Sequence, residues 1–190
     1  MEVKINVGIL CALGLAWATL TTAEPSAALD PRAQATRDLA QMEDRFARDR
    51  RDAGLAEHLA DAYLALDRAD LAVATLTSAP ADVQSDPAVA HRLARAFEQT
   101  GRVPDALAAA ELALARCARS IGTSDASTVT PLPARDCTER AYVSLEMHRN
   151  ALARMQAWGI TDPRTDSRAR LAYSLSVRAA RILGASASAE

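Results

Sequence analysis

The chain reads as all-α, with about seven helices, and three observations predict it. After residue 23 its glycines are Gly54, Gly101, Gly122, Gly159 and Gly184, and each stands at the edge of a helical pattern, where a residue without a Cβ ends a helix at little cost. Pro87, Pro104 and Pro163 fall near helix starts, where a missing N–H loses nothing. No window alternates apolar and polar residues for long enough to argue for a strand.

The first residues stand outside the fold. The α-amino group and Lys4 outweigh Glu2, Ile5 to Leu20 is a short, mainly apolar run, and Thr21 and Ala23 supply small residues for a cut after Ala23. That order is the pattern of a secretory signal peptide over residues 1–23, and it predicts an exported protein, periplasmic or secreted. The run is shorter than the roughly 20 apolar residues of a spanning helix, so no membrane span is expected after cleavage. Cys11 follows Leu10, where lipid attachment asks for a small residue. The formal charge of −2 is unchanged by the cut, because Glu2 and Lys4 leave together. No clustered basic excess marks a nucleic-acid surface. No lysine follows Lys4, so every later lysine-type role falls to arginine.

A first helix is expected from Pro31 to Arg51, capped by Asp30, with Ala35, Leu39, Met42 and Phe46 on one face and a solvated face of charge opposite. A repeat then begins. Leu59, Ala60 and Tyr63 precede a turn at Asp67-Arg68, and Ala72, Val73 and Leu76 follow it. Thirty-four residues on, Leu93, Ala94 and Phe97 precede Gly101-Arg102, and Ala106, Leu107 and Ala110 follow. Generic amphipathic helices keep phase but not such a period. The physical content is a pair of helices that approach closely over small residues while an aromatic ring fills the space above them. A pair of that kind cannot bury its faces alone and stacks on its neighbours.

With this spacing the chain resembles the tetratricopeptide-repeat family. Leu93-Ala94, Phe97, Gly101, Ala106 and Ala113 match the family pattern, as do Leu59-Ala60, Tyr63 and Ala72; Asp67 stands in the glycine place, and Ala56 and Ala90 replace the family's tryptophan. The likeness covers about residues 53–120. It implies a short right-handed α-solenoid of antiparallel helix hairpins over residues 30–184.

A degenerate third unit can be drawn at Tyr142, Ala151 and Pro163, but Glu146 then occupies the glycine place. One long helix from Cys137 to Ala157 describes the region better, opened by Asp136 with Glu139 as a capping box. Ala141, Leu145, His148, Leu152 and Met155 form its stripe. A last helix is expected from Pro163 to Leu183, with Leu171, Leu175, Ala179 and Ile182 inward and a stop at Gly184, before a disordered tail over residues 185–190.

Two cysteines remain after the signal, Cys117 and Cys137, and an even pair in an exported chain reads as a disulfide. They lie near the end of one helix and the start of the next, across a polar, proline-containing loop. Two free thiols and a metal pair stay open as alternatives, although two cysteines without a nearby histidine make a poor zinc site. No catalytic or cofactor motif occurs: His58, His91 and His148 fit no metal-binding spacing, there is no phosphate-cradling glycine loop, and the Ser and Thr of the 121–130 loop are accounted for by turn chemistry. No cofactor and no metal are expected.

In the family the first helix of each hairpin lines a concave groove for a peptide or a partner helix. Carried over, that groove would be lined by Glu57, Asp61 and Leu64 in the first unit and by His91, Arg95, Glu98 and Gln99 in the second. The mixed charge points to no strongly charged ligand. The function expected is an interaction module or scaffold that binds a protein or peptide and helps assemble or tether a cell-envelope complex. A helical enzyme with an unrecognised site and a structural accessory subunit are the other readings.

Overall fold

Helix breaks in this chain are made by aspartate and by left-handed caps. The structure, a computed structural model, describes residues 31–122 and 137–187. Residues 1–30, 123–136 and 188–190 lie outside those, and with them the expected signal segment, the Asp30 cap and the end of the expected tail. The described residues form helices and no strand: α1 (Pro31–Arg48), α2 (Ala53–Ala65), α3 (Ala69–Thr77), α4 (Ala81–Gln84), α5 (Pro87–Gln99), α6 (Val103–Gly122), α7 (Glu139–Ala157) and α8 (Ser167–Ala187). The all-α expectation holds for them. The short α4 adds one helix to the expected seven.

The chain divides into two compact units, residues 1–40 and 41–190. In the first, the described part of α1 is exposed from Ala33 to Asp38, with Gln34 Nε2 donating to Asp38 Oδ1 at 2.7 Å. All that follows concerns the second unit. There α1 ends at Arg48, three residues early, because the Asp49 carboxylate accepts from the Arg51 N–H at 3.1 Å and turns the chain. Asp52 then caps α2 through the Leu55 N–H, and Asp86 caps α5 through the Ala88 and Val89 N–H groups.

Within this unit α2 packs on α3 and α5, α3 on α5, α5 on α6, α6 on α7 and α7 on α8. Alanine makes the close approaches: Ala56, Ala60, Ala72, Ala90, Ala94, Ala106, Ala110, Ala113, Ala151 and Ala172 are all buried. Leu59, Leu76, Val89, Leu152 and Met155 fill the space between the backbones.

Three helices end on one and the same device. Asp67, Gly101 and Gly159 have φ of 57°, 76° and 65°. After each, an N–H reaches back five residues: Arg68 to Tyr63 O at 2.9 Å, Arg102 to Phe97 O at 2.8 Å and Ile160 to Met155 O at 3.0 Å. These are Schellman caps, which satisfy carbonyls the helix leaves open. The helices that follow bury matching triads: Ala69, Ala72 and Leu76; Val103, Ala106 and Ala110; Ala169, Ala172 and Ser176. The cap of α7 thus falls at Gly159, as that of α5 falls at Gly101, and Glu146 lies within α7.

The third unit corrects three details. Thr138, not Asp136, caps α7, accepting from the Ala141 N–H. Pro163 sits in a turn, and Asp166, accepting from the Arg168 N–H at 2.9 Å, delays α8 to Ser167. The α8 core face is accordingly Ala169, Ala172 and Ser176, and Leu171 is 51% exposed. The helix also runs through Gly184 to Ala187.

The caps carry a prediction. Asp67 holds a left-handed conformation that costs a side chain energy, so Asp67→Gly is expected to raise stability by about 0.5–1 kcal/mol. Gly101→Ala is expected to lower it by about 1–2 kcal/mol, since its Cβ would also lie 3.1 Å from the Thr161 carbonyl oxygen. Urea midpoints of the two variants check both signs.

Candidate functional site

Five of the residues placed in the groove by sequence, Glu57, Asp61, His91, Arg95 and Glu98, meet along one polar seam on α2 and α5, which His148 of α7 and Tyr173 of α8 complete. At its α2 end Arg92 is the hub. Its Nη2 lies 2.7 Å from Glu57 Oε1, and Nε and Nη2 both donate to Asp61, at 3.2 and 3.0 Å. Arg95 Nη1 approaches Asp61 at a looser 3.6 Å. Leu64 is buried and offers no surface, and the Gln99 Oε1 atom is buried without a partner among the described residues.

The other end of the seam is deeper and joins three helices. Tyr173 of α8 donates its phenol to both oxygens of Glu98, at 2.8 and 2.7 Å. His148 of α7 lies with Nε2 3.0 Å from Glu98 Oε2 and with Nδ1 3.1 Å from His91 Nε2. The His148 and Tyr173 rings stack at 6.1 Å. His148 and Glu98 keep only 7% and 15% of their side-chain surface.

Donor bookkeeping fixes the order of protons. The Glu98 carboxylate only accepts, so His148 must donate from Nε2. With a neutral His148, Nδ1 accepts and His91 donates from Nε2. A proton added to His148 reverses only the inner bond, with His91 then accepting. Two protonated imidazoles would set N–H against N–H. At most one charge fits between the rings.

His91 is held neutral: burial, then the neighbouring His148, then the Arg92 and Arg95 guanidinium groups push its pKa down to about 3, opposed by Asp61. Burial, followed by the negative Glu98, raises the Tyr173 phenol above its usual range, so it stays a donor. Because the folded pKa of His91 is depressed, the unfolded chain binds more protons between about pH 6.5 and pH 3, and stability falls as pH falls through that window. The loss is expected to reach about 2 kcal/mol by pH 5. Urea unfolding at pH 7.5 and pH 5 measures it. His91→Gln, whose Nε2–H keeps the bond to His148, should remove most of the slope.

Sequence reasoning named Glu57, Asp61, His91, Arg95 and Glu98 and placed His148 on the buried stripe of α7, but had no signal for Arg92 or Tyr173 as members. Among the described residues no three His, Cys, Asp or Glu side chains are placed to hold a metal ion. Cys117 and Cys137 lie elsewhere, side by side as two thiols between α6 and the start of α7. Among the described residues no helix is long and apolar enough to cross a membrane. Comparison with protein-family models, curated proteins and solved structures finds no match for this chain.

Proposed function

We propose that the chain is an exported interaction module: a short right-handed solenoid of tetratricopeptide-like hairpins that holds a protein or peptide partner, and so serves to assemble or tether a cell-envelope complex. One observation carries the reading. The Schellman cap and a buried triad at one spacing recur three times, which supports reading α2–α3, α5–α6 and α7–α8 as copies of one helix pair. Three pairs give a face long enough to receive a peptide, where two would not. The start of the sequence, with its short apolar run, supports export.

The seam refines which residues meet the partner. Glu57, His91 and Glu98 are engaged in holding α2, α5, α7 and α8 to one another, so they form the floor. Arg95 and Asp61 keep 45% and 39% of their side-chain surface and stand above it. Arg95, with only the loose 3.6 Å approach to Asp61, is the group best placed to contact a ligand, and the exposed edge of Asp61 lies beside it.

Crosslinking in intact cells identifies the partner, and the purified pair then gives the affinity. Arg95→Gln is expected to weaken binding about tenfold, the scale of one polar contact of about 1.4 kcal/mol. Its thermal midpoint should hardly move, because an exposed pair such as Arg95–Asp61 contributes about 0–1 kcal/mol. Unchanged affinity in Arg95→Gln would remove the groove from the reading.

A further inference from the structure

Cys117 sits on α6, fully buried with Ala90, Ala113 and Leu145. Cys137 lies just ahead of α7, partly exposed, and packs against that cluster with Leu114 and Tyr142. Cys137 is near enough to add to burial in holding the proton on the Cys117 thiol. Elements that flank residues 123–136 thus bring the two cysteines to one apolar cluster, with Cys117 closed to solvent and Cys137 partly exposed. The seam leaves them unused.

The geometry points to an ordered oxidation site, in which Cys137 is the entry sulfur, Cys117 the resolving sulfur, and the product a staple joining α6 to α7. The co-reactant is a disulfide, either a small molecule or a dithiol-oxidising protein. The Cys137 thiolate attacks one sulfur of the disulfide R–S–S–R, forming a Cys137–S–S–R mixed disulfide and releasing one thiolate. Cys117 then gives up its proton and attacks the Cys137 sulfur, releasing the second thiolate. Two cysteine thiols lose two electrons and two protons, and R–S–S–R becomes two R–SH. Reagents reach Cys137 first because Cys117 has no exposed surface. The second step is the slower one: burial, then the adjacent Cys137, raises the Cys117 thiol to about 12, so little of it is thiolate.

The inference does not depend on whether the groove holds a partner. Its test uses the reduced full chain and oxidised glutathione at pH 8, quenched with acid over time and mapped by peptide mass so that Cys11 is read separately. The expected sequence is a transient glutathione adduct on Cys137, followed by a Cys117–Cys137 crosslinked peptide. In Cys117→Ser, and in Cys117→Ala should the serine variant fold poorly, the Cys137 adduct should persist. In Cys137→Ser no adduct should form on Cys117 without denaturant. A first adduct on Cys117 in the native chain overturns the order. An adduct on Cys137 that never resolves, or two thiols that survive excess disulfide, overturns the staple.

Discussion

Glu98→Ala is expected to lower the unfolding free energy by about 3 kcal/mol, the low end of what breaking a buried pair costs. The variant leaves the Tyr173 phenol and the His148 Nε2–H without their acceptor in a place that water reaches poorly. The penalty comes from those two orphaned donors more than from the lost attraction. Glu98→Gln separates the two contributions. Its amide oxygen accepts from Tyr173, and its amide nitrogen donates to His148 once both imidazoles exchange tautomers, so its cost should stay near 1 kcal/mol. Asp61→Ala provides the contrast, because Arg92 retains Glu57 and Arg95 is already half in water; about 1 kcal/mol or less is expected. Urea denaturation of the three variants at pH 7.5 decides the matter. Equal losses for Glu98→Ala and Asp61→Ala would show that the seam has no deep end and that burial is not what makes Glu98 important.

That contrast explains what was legible in the sequence. Helix phase and period are local properties, and they placed α2, α3, α5 and α6 because Tyr63 to Asp67 and Phe97 to Gly101 stand at one constant shift. The third unit keeps the same cap and the same triad, but residues 158–166 connect its helices where three residues serve in the others. The longer connection, with Asp162 and Asp166 each turning the chain, breaks the period and hides the unit from any fixed-shift comparison. Periodicity alone puts Leu171 inward, but α8 packs through Ala169, Ala172 and Ser176, a face that its own apolar spacing does not mark.

The site was legible only as a face. Counting along α2 and α5 collects Glu57, Asp61, His91, Arg95 and Glu98, yet does not show that most of them are occupied with one another. Arg92 pairs across 31 positions and Tyr173 across 75, and nothing in local periodicity encodes such partners. His148 falls on the apolar stripe of α7 and reads from the sequence as a packing or surface residue, whereas the fold buries it between Glu98 and His91. The face is thus built by pairing between helices, and its exposed remainder, Arg95 and part of Asp61, is smaller than the sequence implies.

Reduction of the oxidised chain is the second large effect expected. Once formed, a Cys117–Cys137 bond would close a loop that contains the whole 123–136 stretch, and in the chain-entropy model a loop of about 20 residues is worth about 3 kcal/mol. Cys137 already packs against the cluster that holds Cys117, Ala90, Ala113 and Leu145, so forming the bond asks little movement of α6 or α7. The stabilisation should therefore appear nearly undiminished, with the oxidised chain showing the higher urea midpoint and a similar slope. The location of the gain is as informative as its size. Amide exchange through partial openings should slow at the end of α6 and the start of α7, while in α2 and α3, which the loop does not include, only amides that exchange through complete unfolding should slow. A gain spread evenly over all the helices would instead mean that the unit opens only as a whole, and that the staple acts on the unfolded chain alone.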